Sequence, residues 1–144
     1  MPEFLFLQQV EKQFRWLKNV PFLPQLIDEQ LKIYTLFFQP AVFEKMMQVV
    51  AWFKMQKGIK TSYHRYGGLE FRFEGKEIAH LHGNGLIDIL FSREIRNQLV
   101  SEALVQAHHV NHESGWVSLY LKKNTDMNEV FAVLNRAYLF HIQK

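Results

Sequence analysis

Between Leu69 and Glu74 apolar and charged residues alternate strictly, with Leu69, Phe71 and Phe73 set against Glu70, Arg72 and Glu74. A period of two places the apolar set on one face of a strand and the charged set on the other. The pattern predicts a one-sided sheet, with Phe71 and Phe73 buried and Glu70 and Arg72 substantially exposed. Turn chemistry extends this strand into a meander. Gly75-Lys76 reads as a two-residue turn with glycine first, Glu77 to His82 as the return strand, and Gly83-Asn84-Gly85 as a hairpin into Leu86 to Phe91. Gly67-Gly68 reads as a bend or bulge before the strand rather than a phosphate cradle.

The chain on either side is helical in period. Leu7, Val10, Phe14 and Leu17 recur at helical spacing, with Lys12, Arg15 and Lys18 on the other side. Pro21 and Pro24 break that stripe, and Pro24 suits the first turn of a second helix bearing Ile27, Leu31, Tyr34 and Phe38. A third helix places Val42, Phe43, Met46, Val49, Val50 and Phe53 on one broad face and stops near Gly58. After the meander, Ser92 caps a helix with Ile95, Leu99 and Ala103 inward and Arg93 and Arg96 outward. A short extended piece from Ala107 to Asn111 turns at Ser114-Gly115 into the strand Trp116 to Leu121. The last helix starts around Thr125-Asp126, with Glu129 in a capping-box position, and buries Val130, Phe131, Leu134 and Tyr138. Strands joined by tight turns and flanked by helices define an α+β domain: an antiparallel sheet with helices on one face and an N-terminal helical segment. We read residues 1–144 as one domain, 1–58 helical and 59–144 α+β.

Composition narrows the function classes. The chain of 144 residues is 48% hydrophobic and 15% aromatic, enough for a full core, and the absence of cysteine removes disulfides, thiolate metal sites and cysteine nucleophiles. No apolar run reaches the roughly 20 residues of a membrane span. Glu3 stands where a secretory signal needs bases, so the expectation is a cytoplasmic protein with no membrane partner. The net charge of +3 is spread without a block of like charges, so nucleic-acid binding is permitted but not indicated.

One set of segments carries a resemblance. Gly67-Gly68-Leu69-Glu70-Phe71-Arg72, Gly75-Lys76-Glu77-Ile78-Ala79-His80-Leu81-His82, Gly85-Leu86-Ile87-Asp88, His108-His109 and Gly115-Trp116-Val117-Ser118 together resemble a family of uncharacterised domains known as the luciferase domain. The resemblance runs from about Tyr63 to Tyr138. More loosely, the order of elements is similar to the YjbR/MmcQ-like proteins, for whose wider group a DNA-binding role has been suggested. The family name implies no chemistry that can be placed on residues here, and no cofactor.

Histidine is the unusual titratable feature, with seven in the chain. His80 and His82 lie two apart on a strand, so their rings project from one face, and imidazole is the commonest transition-metal ligand. If Gly83-Asn84-Gly85 is a three-residue loop, His80 falls opposite Asp88. If Asn84-Gly85 is a two-residue turn, Leu81 faces Asp88 instead. His80, His82 and Asp88 are thus the metal candidates, with His108, His109 or His112 available as a further ligand. The opposing reading is structural: packed, hydrogen-bonded histidines oriented by an aspartate. An acid–base pair of His80 with Asp88, Glu77 or Glu70 is a further possibility, without an evident nucleophile. Trp116 and Tyr120 alternate with Val117, Leu119 and Leu121; with Arg72 they offer a surface for stacking bases, although packing of Trp116 under the terminal helix is the expectation. The candidate ligand region is therefore His80, His82, Asp88, His108, Glu70, Arg72 and Trp116.

The sequence reading that follows is a small binding or regulatory module for a small molecule or protein. A metal-assisted or acid–base enzyme and a nucleic-acid binder are the alternatives. Surplus apolar residues in the N-terminal helices, notably Phe37, Phe38, Trp52, Phe53 and Met55, suggest a homodimer.

Overall fold

The computed structural model describes residues 19–108, 111 and 113–144. The stripe of Leu7, Val10, Phe14 and Leu17, together with His109 and His112, lies outside the described residues. Among the described residues, four helices and six strands follow in the order α1 (Leu23–Phe38), α2 (Pro40–Met55), β1 (Ile59–Tyr63), β2 (Leu69–Phe73), β3 (Lys76–Leu81), β4 (Leu86–Leu90), α3 (Arg93–Ser101), β5 (Gln106–Ala107), β6 (Trp116–Tyr120) and α4 (Met127–Ile142). The strands form one antiparallel sheet in the order β1-β2-β3-β4-β6-β5. The α+β architecture expected from the residue pattern is the one observed. None of the described helices is long and apolar enough to cross a membrane.

The sheet's two faces differ sharply. Phe71, Ala79, Ile89 and Val117 stand in register on one face, and Leu81, Ile87 and Leu119 pack beside them in a core closed by α2, α3 and α4. Val42, Met46, Val49 and Phe53 of α2 are buried, as its stripe foretold, and Phe53 stacks on Phe71 with centroids 4.0 Å apart. Leu99 fixes α3, while Val130, Val133, Leu134 and Ala137 fix α4. Both helices start on the caps read in the sequence: Ser92 Oγ accepts from Ile95 N, and the Asp126 carboxylate accepts from Asn128 N. α3 ends at Ser101, so Ala103 falls beyond it, exposed and at φ 57°.

Three expectations need correction. The β2–β3 turn is Glu74-Gly75, one residue earlier than expected. Phe73 pairs with Lys76, and both central residues have positive φ, 48° and 77°, the type I′ pattern that matches strand twist. Secondly, the α1 stripe is not core: Ile27, Leu31, Tyr34 and Phe38 are all exposed, Phe38 at 70%, whereas Asp28 and Thr35 are buried. α1 turns a polar edge inward because it docks on the β3–β4 loop by hydrogen bonds. Gly83 N donates to Asp28 Oδ1 at 2.9 Å, and Thr35 Oγ1 donates to Gly83 O at 2.7 Å. A Cβ on Gly83 would lie 2.3 Å from Asp28 O, so only glycine permits this approach.

The third correction concerns Glu70, which is 7% exposed rather than open to water, while Arg72 and Phe73 are intermediate. The alternation is real, but the middle of the second face, from Glu70 to Ser118, is not solvated. Ser62, Glu70, His80, Asp88, Ser118 and Gln106 stand in one continuous row across all six strands. In the four central strands of that row polar side chains shield one another, which strand periodicity cannot distinguish from exposure.

Candidate functional site

The β3–β4 register resolves the open alternative. His80 pairs with Asp88 and Leu81 with Ile87, and His82 N donates to Leu86 O, so Gly83-Asn84-Gly85 is a three-residue loop. Asp88 sits at the centre of the polar row, 1% exposed. Its Oδ1 accepts from Ser118 Oγ, and its Oδ2 faces three imidazole nitrogens: His80 Nε2 at 3.0 Å and Nε2 of His82 and His108 each at 3.5 Å. None of these nitrogens is aligned to give the enclosed Oδ2 a hydrogen bond of good geometry. Three of the residues put forward from the sequence, His80, His82 and His108, therefore converge on one oxygen of a fourth, Asp88.

The far sides of the His80 and His82 rings are also held by carboxylates. His80 Nδ1 is 2.6 Å from Glu77 Oε1, and His82 Nδ1 is 3.4 Å from Asp28 Oδ1. A register shift between Phe71 and Arg72 allows Glu77, three residues before His80, to reach this face. His64, in the β1–β2 connection, stacks on His80 with centroids 4.1 Å apart and stands 3.3 Å from Glu77 Oε1. Trp116 closes the cluster with its ring 5.3 Å from His80 and 6.5 Å from His108. It belongs to the polar face and does not pack under α4, because it occupies the same strand face as Ser118.

Electrostatics follow from this geometry. Burial alone would lower the His82 pKa, but the Asp28 and Asp88 carboxylates raise it to about 9. His80 is raised in the same way, with burial outweighed by Asp88 and Glu77. Burial and the neighbouring His80 push His64 below the ordinary histidine value. Burial opposes ionisation of Asp88, yet His108, His80, His82 and Ser118 together hold it well below the usual carboxylate range.

Glu70 and Arg72 lie at the margin. Arg72 Nη1 donates to Glu70 Oε1 at 2.7 Å, Ser62 Oγ donates to the same oxygen at 2.6 Å, and Arg72 Nη2 donates to Gly75 O. Burial would raise Glu70, but Ser62 and Arg72 hold it below its ordinary value. Sequence reasoning missed Asp28 and His64. The only trace of Asp28 was a carboxylate inside an apolar helix, and His64 gave no signal, since its ring arrives through the turn closed by the Gly67 N to His64 O hydrogen bond.

Against known proteins, a family model described as Luciferase domain matches residues 75–137. Among curated proteins there is no match to this chain. The matched stretch contains Glu77, His80, His82, Asp88, His108, Trp116 and Ser118, and leaves out Asp28, His64 and Glu70. Residues 75–137, a little under half of the chain, are thus similar to the luciferase domain family.

Proposed function

We propose that the protein is a binding module whose ligand is a small, positively charged species held on the polar face of the sheet. One observation carries this reading: the rings of His80 and His82 each stand between two carboxylates, Glu77 and Asp88 for the first, Asp28 and Asp88 for the second. Three buried or half-buried carboxylates outnumber the two rings, so even with both rings protonated the cluster keeps a net negative charge that favours a ligand bringing positive charge.

The alternative of stacked nucleic-acid bases is less well supported. Trp116 is engaged with His80 and His108, and Arg72 with Glu70 and Gly75. A carboxylate-rich surround also repels phosphate. A cytoplasmic location is proposed with the binding role, on the absence of cysteine alone.

The test is a thermal-shift and ring-proton NMR survey of the full chain. Methylamine, putrescine, zinc chloride and manganese chloride are compared with sodium phosphate and sodium citrate. At least one cation should raise the melting temperature and move the His80 and His82 ring resonances. A response confined to the anions, or no response, rejects the reading.

A second copy of the chain is proposed as a further partner. Phe22, Leu26, Ile33, Phe37 and Phe38 form an exposed apolar surface on and beside α1, of a kind that usually marks an interface.

A further inference from the structure

The geometry points to a divalent transition-metal ion as that cation, bound by His80 Nε2, His82 Nε2 and Asp88 Oδ2. This rests on the cation-binding reading above and names the ligand. His80, His82 and Asp88 each offer one ligand atom, all within 4.8 Å of one another. Oδ2 of Asp88 lies 3.0 Å from His80 Nε2 and 3.5 Å from His82 Nε2. Atoms bound to one ion at about 2.0–2.2 Å stand about 2.9–3.5 Å apart, from octahedral to tetrahedral arrangements. The spacing is thus that of co-ligands. The enclosed Oδ2 receives no well-aligned hydrogen bond from any described residue, and an ion would satisfy it.

The surroundings match what such a centre requires. A metal-bound imidazole offers its other nitrogen to a carboxylate or carbonyl that fixes ring and tautomer. Glu77 does this for His80 and Asp28 for His82, while Ser118 holds the second oxygen of Asp88. Two nearby groups are excluded as ligands by the same geometry. Glu77 Oε1 is 2.6 Å from His80 Nδ1, a hydrogen-bond length too short for co-ligands. His108 Nδ1 accepts from Asn111 N at 3.2 Å, so its Nε2 carries the proton and has no lone pair to offer an ion. Two histidines and one carboxylate leave coordination positions for water or a substrate atom, and this donor set suits zinc, iron(II), manganese(II) or cobalt(II).

The experiment is calorimetric titration of zinc chloride into the chelator-stripped full chain, with cobalt(II) absorption spectra in parallel. The expected result is one saturable site per chain. His80→Ala and His82→Ala should weaken binding at least about 100-fold, and Glu77→Gln, which removes only a positioning carboxylate, about 10–100-fold. His108→Gln should retain it. Should a substitution unfold the chain, cobalt bound to the wild type decides: intense visible bands of nitrogen–oxygen ligation support the site, and the weak spectrum of the aqua ion overturns it. Binding equal in wild type, His80→Ala and His82→Ala also overturns it. If zinc, manganese and cobalt leave the folded wild type unmoved while methylamine or putrescine shifts the His80 and His82 resonances, the metal is wrong and the cation site stands. If no cation binds, both readings fall.

Discussion

Asp28 of α1 and His82 of β3–β4 meet at 3.4 Å, and the same Asp28 oxygen accepts from the backbone of Gly83 at 2.9 Å. One buried carboxylate thus anchors the helix and one ring of the site together. Asp28→Ala should lower stability by about 1–3 kcal/mol, because Gly83 N and His82 Nδ1 both lose their acceptor. Asp28→Asn keeps an oxygen for Gly83 N and should lose less. Urea denaturation of the three proteins at neutral pH checks the order.

Stability of the metal-free chain should fall from neutral to alkaline pH. The His82 pKa rises from 6.5 to about 9 on folding, so its contribution is complete below pH 6.5 and is lost as pH climbs through 9. His80 acts in the same direction, and Asp28, Asp88, His80 and His64 are the titratable groups around the ring. The full effect is on the order of 3 kcal/mol. His82→Gln should flatten the slope between pH 7 and 9.5 in parallel denaturation curves; an unchanged slope would show that the ring's two carboxylate neighbours do not hold its proton.

On the apolar face, Phe71→Ala should cost about 3–5 kcal/mol, since the ring is fully buried and stacked on Phe53. Tyr63→Ala, on an exposed β1 side chain, should cost less than about 0.5 kcal/mol. Melting curves that fail to separate the two would contradict the assignment of faces.

Self-association should appear in light scattering at micromolar concentration as a species of twice the 17.2 kDa chain mass. Phe37→Glu with Phe38→Glu should return it to the single-chain mass without changing the far-ultraviolet circular dichroism. A wild-type chain that scatters only as 17.2 kDa rules the dimer out.

Much of this architecture was legible in local residue pattern. The caps at Ser92 and Asp126, the α2 stripe and the buried Phe71 were read correctly because each depends on neighbours within one turn or one strand. His80 opposite Asp88 was available only as one of two registers, since loop length decides parity and Gly83-Asn84-Gly85 admits both. Glu70 was misread because periodicity assigns a face, not the solvent behind it. The α1 stripe failed for a related reason: Asp28 and Thr35 bind a loop more than forty residues away, and no local count of apolar spacing registers that. Trp116 was placed under α4 on general packing grounds, yet its strand phase shared with Ser118 already pointed to the histidine face.

The hydrogen bonds that join Gly83 to Asp28 and Thr35 also bear on how this protein divides. The family segment begins at residue 75, so it carries the three atoms assigned to metal but neither Asp28, which steadies His82, nor His64, which stacks on His80. An excised piece spanning 75–137 would hold the ligands without their braces and without β1 and β2, whose pairing gives β3 its neighbour. Any transplant of the centre into another scaffold must therefore carry two discontinuous stretches of chain, one of them the helix that holds Asp28, outside the matched residues.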